Sequence, residues 1–147
     1  MMDFSKFDSM VDVEGLKADI EKAASGQGDY VEVPHGLYEV KVTKLELTES
    51  KKGDPMVRAF FKIVSGEYED SMIFLNQVVK KGFQLHIVNE LLRSMETGID
   101  IHFESYSQYA QLLEDVFATI KGHKEFALEY GENKGFNTFK ITDVFNI

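Results

Sequence analysis

VPHGLYEVKVTKLELTESKKGDPMVRAFFKIV, residues Val33 to Val64, reads as a β-hairpin whose first strand is bent. A proline and a glycine lead into a long period-2 run. Ser50 to Pro55 then supplies turn residues, and a second period-2 run follows. In the second run Val57, Ala59, Phe61 and Ile63 point one way, while Met56, Arg58, Phe60 and Lys62 point the other. One face is pure core; the other mixes aromatic and cationic groups. In the first run Tyr38, Val40 and Val42 share a face, after which the apolar positions shift phase to Leu45 and Leu47. A phase change inside one strand predicts a bulge or a sharp bend.

Downstream, Ser65 to Asp70 makes the next turn, and a third strand runs from about Ser71 to Val79. Ile73 and Leu75 alternate there with Met72, Phe74 and Asn76, and the pattern alone leaves open which set is core. Lys80-Lys81-Gly82 breaks the strand. Phe83, Ile87, Val88, Leu91, Leu92 and Met95 then recur at helical spacing, and Gly98 closes the segment. A second helix starts within Phe103 to Gln108, where Ser105 and Gln108 have capping-box spacing. Its stripe is Tyr106, Tyr109, Leu113, Val116, Phe117 and Ile120. Lys124 to Tyr130 and Gly135 to Phe145 form a second hairpin.

Upstream, Met1 to Met10 reads as an arm carrying Phe4 and Phe7, and Asp12 caps a short helix running to about Ala24. That helix serves either as a lid over a barrel end or as a contact in a homo-oligomer. The chain thus divides into an acidic arm with a helix, residues 1–30, and a single domain, residues 31–147. The expected fold is mostly β with helices (α+β). Its element order is that of an elaborated OB-like five-stranded barrel with a helical insert between strands three and four. An α+β sheet with both helices on one face is the competing architecture.

Composition narrows the function classes. A chain of 147 residues with 44% hydrophobic and 28% charged content is ordinary for one globular domain. Neither a signal peptide nor an apolar run long enough to span a membrane is evident, so a cytoplasmic location with no membrane partner is the expectation. The chain has no cysteine, which removes disulfide and thiol chemistry. The net charge of −9 is unevenly spread: residues 34–81 hold 8 of the 16 basic side chains, while residues 1–33 hold 8 acidic against 3 basic. An acidic total argues against tight non-specific duplex binding, yet a ligand feels the charges near it.

His35, His86, His102 and His123 lack zinc-type spacing, and His102 with Glu104 is the nearest approach to a ligand pair. Phosphate-cradling and nucleophile-elbow motifs are missing, so the sequence makes no case for an enzyme, a cofactor or a metal. Three clusters instead suit single-stranded nucleic acid, which asks for aromatic platforms flanked by cations. Lys51 and Lys52 sit at a hairpin tip. Arg58, Phe60 and Lys62 alternate along strand two, and Lys134, Phe136, Thr138 and Lys140 mark the last hairpin and strand five. Lys41, Lys51, Lys52, Arg58, Lys62, Lys134 and Lys140 are the expected phosphate contacts. Phe60, Phe74 and Phe136 are the expected stacking rings, with Asn76 as a hydrogen-bonding group.

The string DFSKFD, EVPHGLYEVKV, KKGDPM, FKIVSGEYE, IFLNQV, GFQLHIVNELLRS, FESYSQYAQLL and YGENKGFNTFKI resembles a family encoded by phages and prophages of Gram-positive bacteria. That family has been labelled a domain of unknown function, and its members are regarded as single-stranded-DNA-binding proteins. The resemblance runs from Asp3 to Ile141 and is one of overall pattern, without a catalytic signature. It implies single-stranded DNA as partner, little sequence specificity, and a role beside phage replication or recombination proteins. Such proteins commonly carry an acidic tail for recruiting partners; here ITDVFNI follows directly on a strand, and the acidic N-terminal segment is either a substitute for that tail or an intramolecular shield that competes with DNA for the groove. The alternative reading is an acidic protein-interaction module that recruits a partner or mimics DNA.

Overall fold

Among the described residues, alternating apolar residues and well-placed turn formers produce five antiparallel strands and two helices. A computed structural model of the protein describes residues 32–147. In chain order the elements are β1 (Gly36–Glu49), β2 (Pro55–Ile63), β3 (Met72–Val78), α1 (Gly82–Ser94), α2 (Tyr106–Ile120), β4 (Lys124–Asn133) and β5 (Phe136–Asn146). The expected arm and the helix ending near Ala24 lie outside the described residues. The strands form one open sheet in the order β3-β2-β1-β4-β5, so β3 and β5 are its two ends.

The central strand, β1, has two neighbours on different stretches of its length. Gly36 to Val40 pair with Tyr130 to Phe126 of β4, and Val40 to Glu49 pair with Ile63 to Pro55 of β2. The expected phase change is a bulge: Val42 lies opposite Phe61 and Lys44 opposite Phe60, with Thr43 the extra residue. It allows Val40, Val42 and Leu45 all to be buried despite their odd spacing. The turn into β2 is tightly held, with Gly53 N donating to Ser50 O at 2.9 Å and Ser50 N to Asp54 O at 2.8 Å. Asp54 N adds a bond to Ser50 Oγ at 3.0 Å. Gly53 takes φ +83°, which a side chain would resist.

The core is one cluster drawn from every element. Val57, Ala59, Phe61 and Ile63 of β2 are buried, as their alternation requires. On β3 it is Ile73 and Leu75 that face inward, which turns Phe74 and Asn76 outward. Each large apolar side chain removed from water contributes roughly 1.5–3 kcal/mol, so the choice of face is strongly driven. From the helices come Val88, Leu91 and Leu92 of α1, and Tyr109, Leu112, Leu113, Val116 and Ile120 of α2. Ser105 caps α2 through Gln108 N at 3.1 Å, as the spacing predicts. The buried Tyr109 phenol donates to Asn89 Oδ1 at 2.5 Å and so ties α2 to α1; burial pushes that phenol up from the usual tyrosine range.

The sheet is strongly curled. Phe61 on β2 and Phe139 on β5 have ring centroids 6.2 Å apart and nearly parallel planes. In a flat sheet three strand spacings would hold them about 14 Å apart. α1 packs against both terminal strands, β5 and β3, while α2 packs on β1.

Candidate nucleic-acid interface

With the inner face committed to core, the outer face of β1, β2 and β3 carries what remains, and strand pairing sets it in rows. Lys41 lies opposite Lys62, and Lys62 opposite Met72. In the next row Lys44 lies opposite Phe60 and Phe60 opposite Phe74; beyond it come Glu46, Arg58 and Asn76, then Thr48, Met56 and Val78. The two rings meet edge to face with centroids 4.9 Å apart, and Lys44 Nζ stands 5.3 Å from the centre of the Phe60 ring. Arg58 Nε donates to Asn76 Oδ1 at 3.2 Å.

This patch is cationic and only partly neutralised. Lys44 Nζ meets Glu46 Oε1 at 3.3 Å and Lys62 Nζ meets Asp70 Oδ1 at 3.5 Å, both solvent-facing pairs of small worth. Lys41 and Lys62 directly face one another, an arrangement that costs energy until an anion bridges it. At the end of the patch lies a cavity of about 480 Å³ under the β1–β2 turn, lined by residues that include Lys51, Lys52, Met56, Arg58, Asn76 and Val78.

The structure gathers Lys41, Arg58, Phe60, Lys62, Phe74 and Asn76 onto one face of three adjacent strands, with Lys51 and Lys52 in the β1–β2 turn, lining the cavity at its end. It does not bring Lys134, Phe136 and Lys140 to them along the sheet, because β1 and β4 lie between β2 and β5. Lys134 sits in the β4–β5 turn at φ 52°, Phe136 is 76% exposed, and Lys140 lies opposite Glu129. Sequence reading overlooks Lys44, because the bulge at Thr43 hides which way it points. Met56, which alternation places on the outer face, and Val78 are not among the expected site residues.

The outer face on the other side differs in character. A cavity of about 530 Å³ there is lined by Leu37, Tyr38, Glu39, Glu67, Asp143 and Phe145 among others. Tyr38 ionises above the usual tyrosine range, chiefly from burial and then from Tyr68, Glu67 and Tyr130 nearby. The histidines stay apart: His35 meets Asn137 at 3.0 Å, and His102 lies 3.3 Å from Asp100 and 3.7 Å from Glu104 in an exposed loop. Among the described residues no group of three or more histidine, cysteine or carboxylate side chains is placed to hold a metal ion. Nor is any described helix long and apolar enough to cross a membrane.

A family model described as "Protein of unknown function (DUF669)" matches residues 19–136. The chain belongs to the DUF669 family. No curated protein matches it. Within this DUF669 chain the matched stretch takes in β1 to β4, both helices and the whole aromatic and cationic patch, and it stops at Phe136, the first residue of β5.

Proposed function

We propose that this DUF669 chain binds single-stranded DNA across the outer face of β1, β2 and β3, without catalysis and with little sequence preference, in phage DNA replication or recombination. The observation that carries the reading is the row Lys44, Phe60 and Phe74, flanked by Lys41 and Lys62 on one side and Arg58 on the other. Stacked bases are worth roughly 1–3 kcal/mol each, and the flanking cations follow the phosphates. We read the curled sheet as an elaborated OB-like barrel, in which strands two and three and the first inter-strand loop serve the ligand. The bulged β1 shared between two partners, the helices between β3 and β4 and the approach of Phe139 to Phe61 support that reading.

The test is fluorescence anisotropy of a labelled oligothymidine and of its duplex, titrated with the full chain at two salt concentrations. Preferential binding of the single strand, weakening as salt rises, is the expected result. No binding to either at low salt overturns the proposal. A second reading, a protein-interaction module, draws on the acidic cavity edged by Glu39, Glu67 and Asp143 with Leu37 and Phe145 beside it.

A further inference from the structure

The cavity beneath the β1–β2 turn has the chemistry of a pocket for one base. Its apolar surface is the cross-strand pair Met56 and Val78, one row beyond Arg58 and Asn76. Its volume of about 480 Å³ falls within the roughly 300–1,000 Å³ span of small-molecule sites. Its rim is preformed: the bonds among Ser50, Gly53 and Asp54 fix the turn that carries Lys51 and Lys52. Asp54 is further anchored by Lys80 Nζ at 3.2 Å, and Val79 N donates to Pro55 O at 2.9 Å beside it.

Two carboxylates, Glu49 and Asp54, line the same cavity, so a phosphate is a poor occupant. A neutral base is a good one, with its phosphates held outside by Lys51 and Lys52. The polar wall also discriminates between bases. Asn76 Oδ1 accepts from Arg58 Nε at 3.2 Å, which holds the Arg58 guanidinium against the cavity wall. The terminal nitrogens of Arg58 are donors only, as is the Asn76 amide nitrogen. Guanine offers two adjacent acceptors, O6 and N7, to such donors, whereas adenine offers one acceptor beside a competing donor. Guanine's opposite edge carries N–H groups, for which the Glu49 carboxylate is an acceptor.

We propose that this pocket takes a single guanine out of the bound strand, adding one position of base selection to an otherwise sequence-tolerant path. The inference rests on the single-strand reading above. It is tested with the full chain and three labelled oligothymidines: one unbroken, one with a central guanine and one with a central adenine. The guanine strand should bind about tenfold more tightly than the adenine strand. Val78→Phe, which fills the cavity without changing charge, should erase that difference. Glu49→Ala, at the exposed end of β1, should shrink it and serves as the second probe should the Val78 variant fail to fold. Equal affinity for the guanine and adenine strands, with the unbroken strand still bound, overturns the pocket and leaves the function standing. So does a preference that survives both substitutions. Failure of the wild-type chain to bind any of the three overturns both.

Discussion

The outer surface of the sheet falls into two halves that share a backbone and differ in chemistry. On β1, β2 and β3 lysines, an arginine and two phenylalanines lie in cross-strand rows. On the β4 and β5 side Glu39 lies opposite Ala127, which lies opposite Asp143, and Glu129 separates Leu37 from Lys140. A net charge of −9 therefore says little about either half. Local pairing, and not the total, decides which ligand each surface can attract.

The strongest way to break this contrast is to loosen what joins the halves. Phe61→Ala should remove the contact with Phe139 and leave a cavity in the core, costing about 3–5 kcal/mol in urea denaturation. A loss under about 1 kcal/mol would mean that the curl of the sheet does not depend on that contact. Next in size, Phe60→Ala should weaken oligothymidine binding about tenfold or more, with the salt slope unchanged. Arg58→Ala or Lys62→Ala should each weaken it less, while flattening the slope of log affinity against log salt by about 0.7. If none of these lowers affinity, the binding surface lies elsewhere.

Smaller effects belong to the acidic half. The Tyr38 phenol is raised above its unfolded value of about 10, so its contribution to stability is present below that pH and is lost as pH climbs through the folded value. Glu67→Gln should lower that ionisation toward the ordinary range, read as the difference in ultraviolet titration between chains with Tyr38 and with Tyr38→Phe. Leu37→Ala, on a residue 65% exposed, should leave DNA affinity unchanged and stability within about 0.5 kcal/mol.

Local features are readable in the sequence, and non-local ones stay hidden. The first hairpin, its turn, the bulge and the Ser105 cap each declare themselves within a few residues. Strand three does not, because Ile73, Phe74 and Leu75 are all apolar and alternation cannot choose between its faces. Its facing is settled only by what β2 and the helices lay against it. Lys134, Phe136 and Lys140 stand apart from the strand-two cluster in the order of the sheet for a related reason. Strand order is set by which edges meet, and β4 meets β1. Lys44 escapes notice because one inserted residue reverses the facing of everything after it.

Thr43 thus works as the reading frame of β1. Before it, even-numbered residues such as Val40 and Val42 point into the core; after it, odd-numbered Leu45 does. Deleting that one residue would close the bulge and straighten the strand, with Val42 still opposite Phe61 and Lys44 still opposite Phe60, whereas deleting a regularly paired residue of β1 with the bulge kept would turn the side chains beyond it to the opposite face or force a slip against β2. An extra residue in the turn at Lys51 and Lys52 would only lengthen a solvent-exposed tip. The chain is tolerant of changes in letter along the outer face and intolerant of a change in count within the regular ladder.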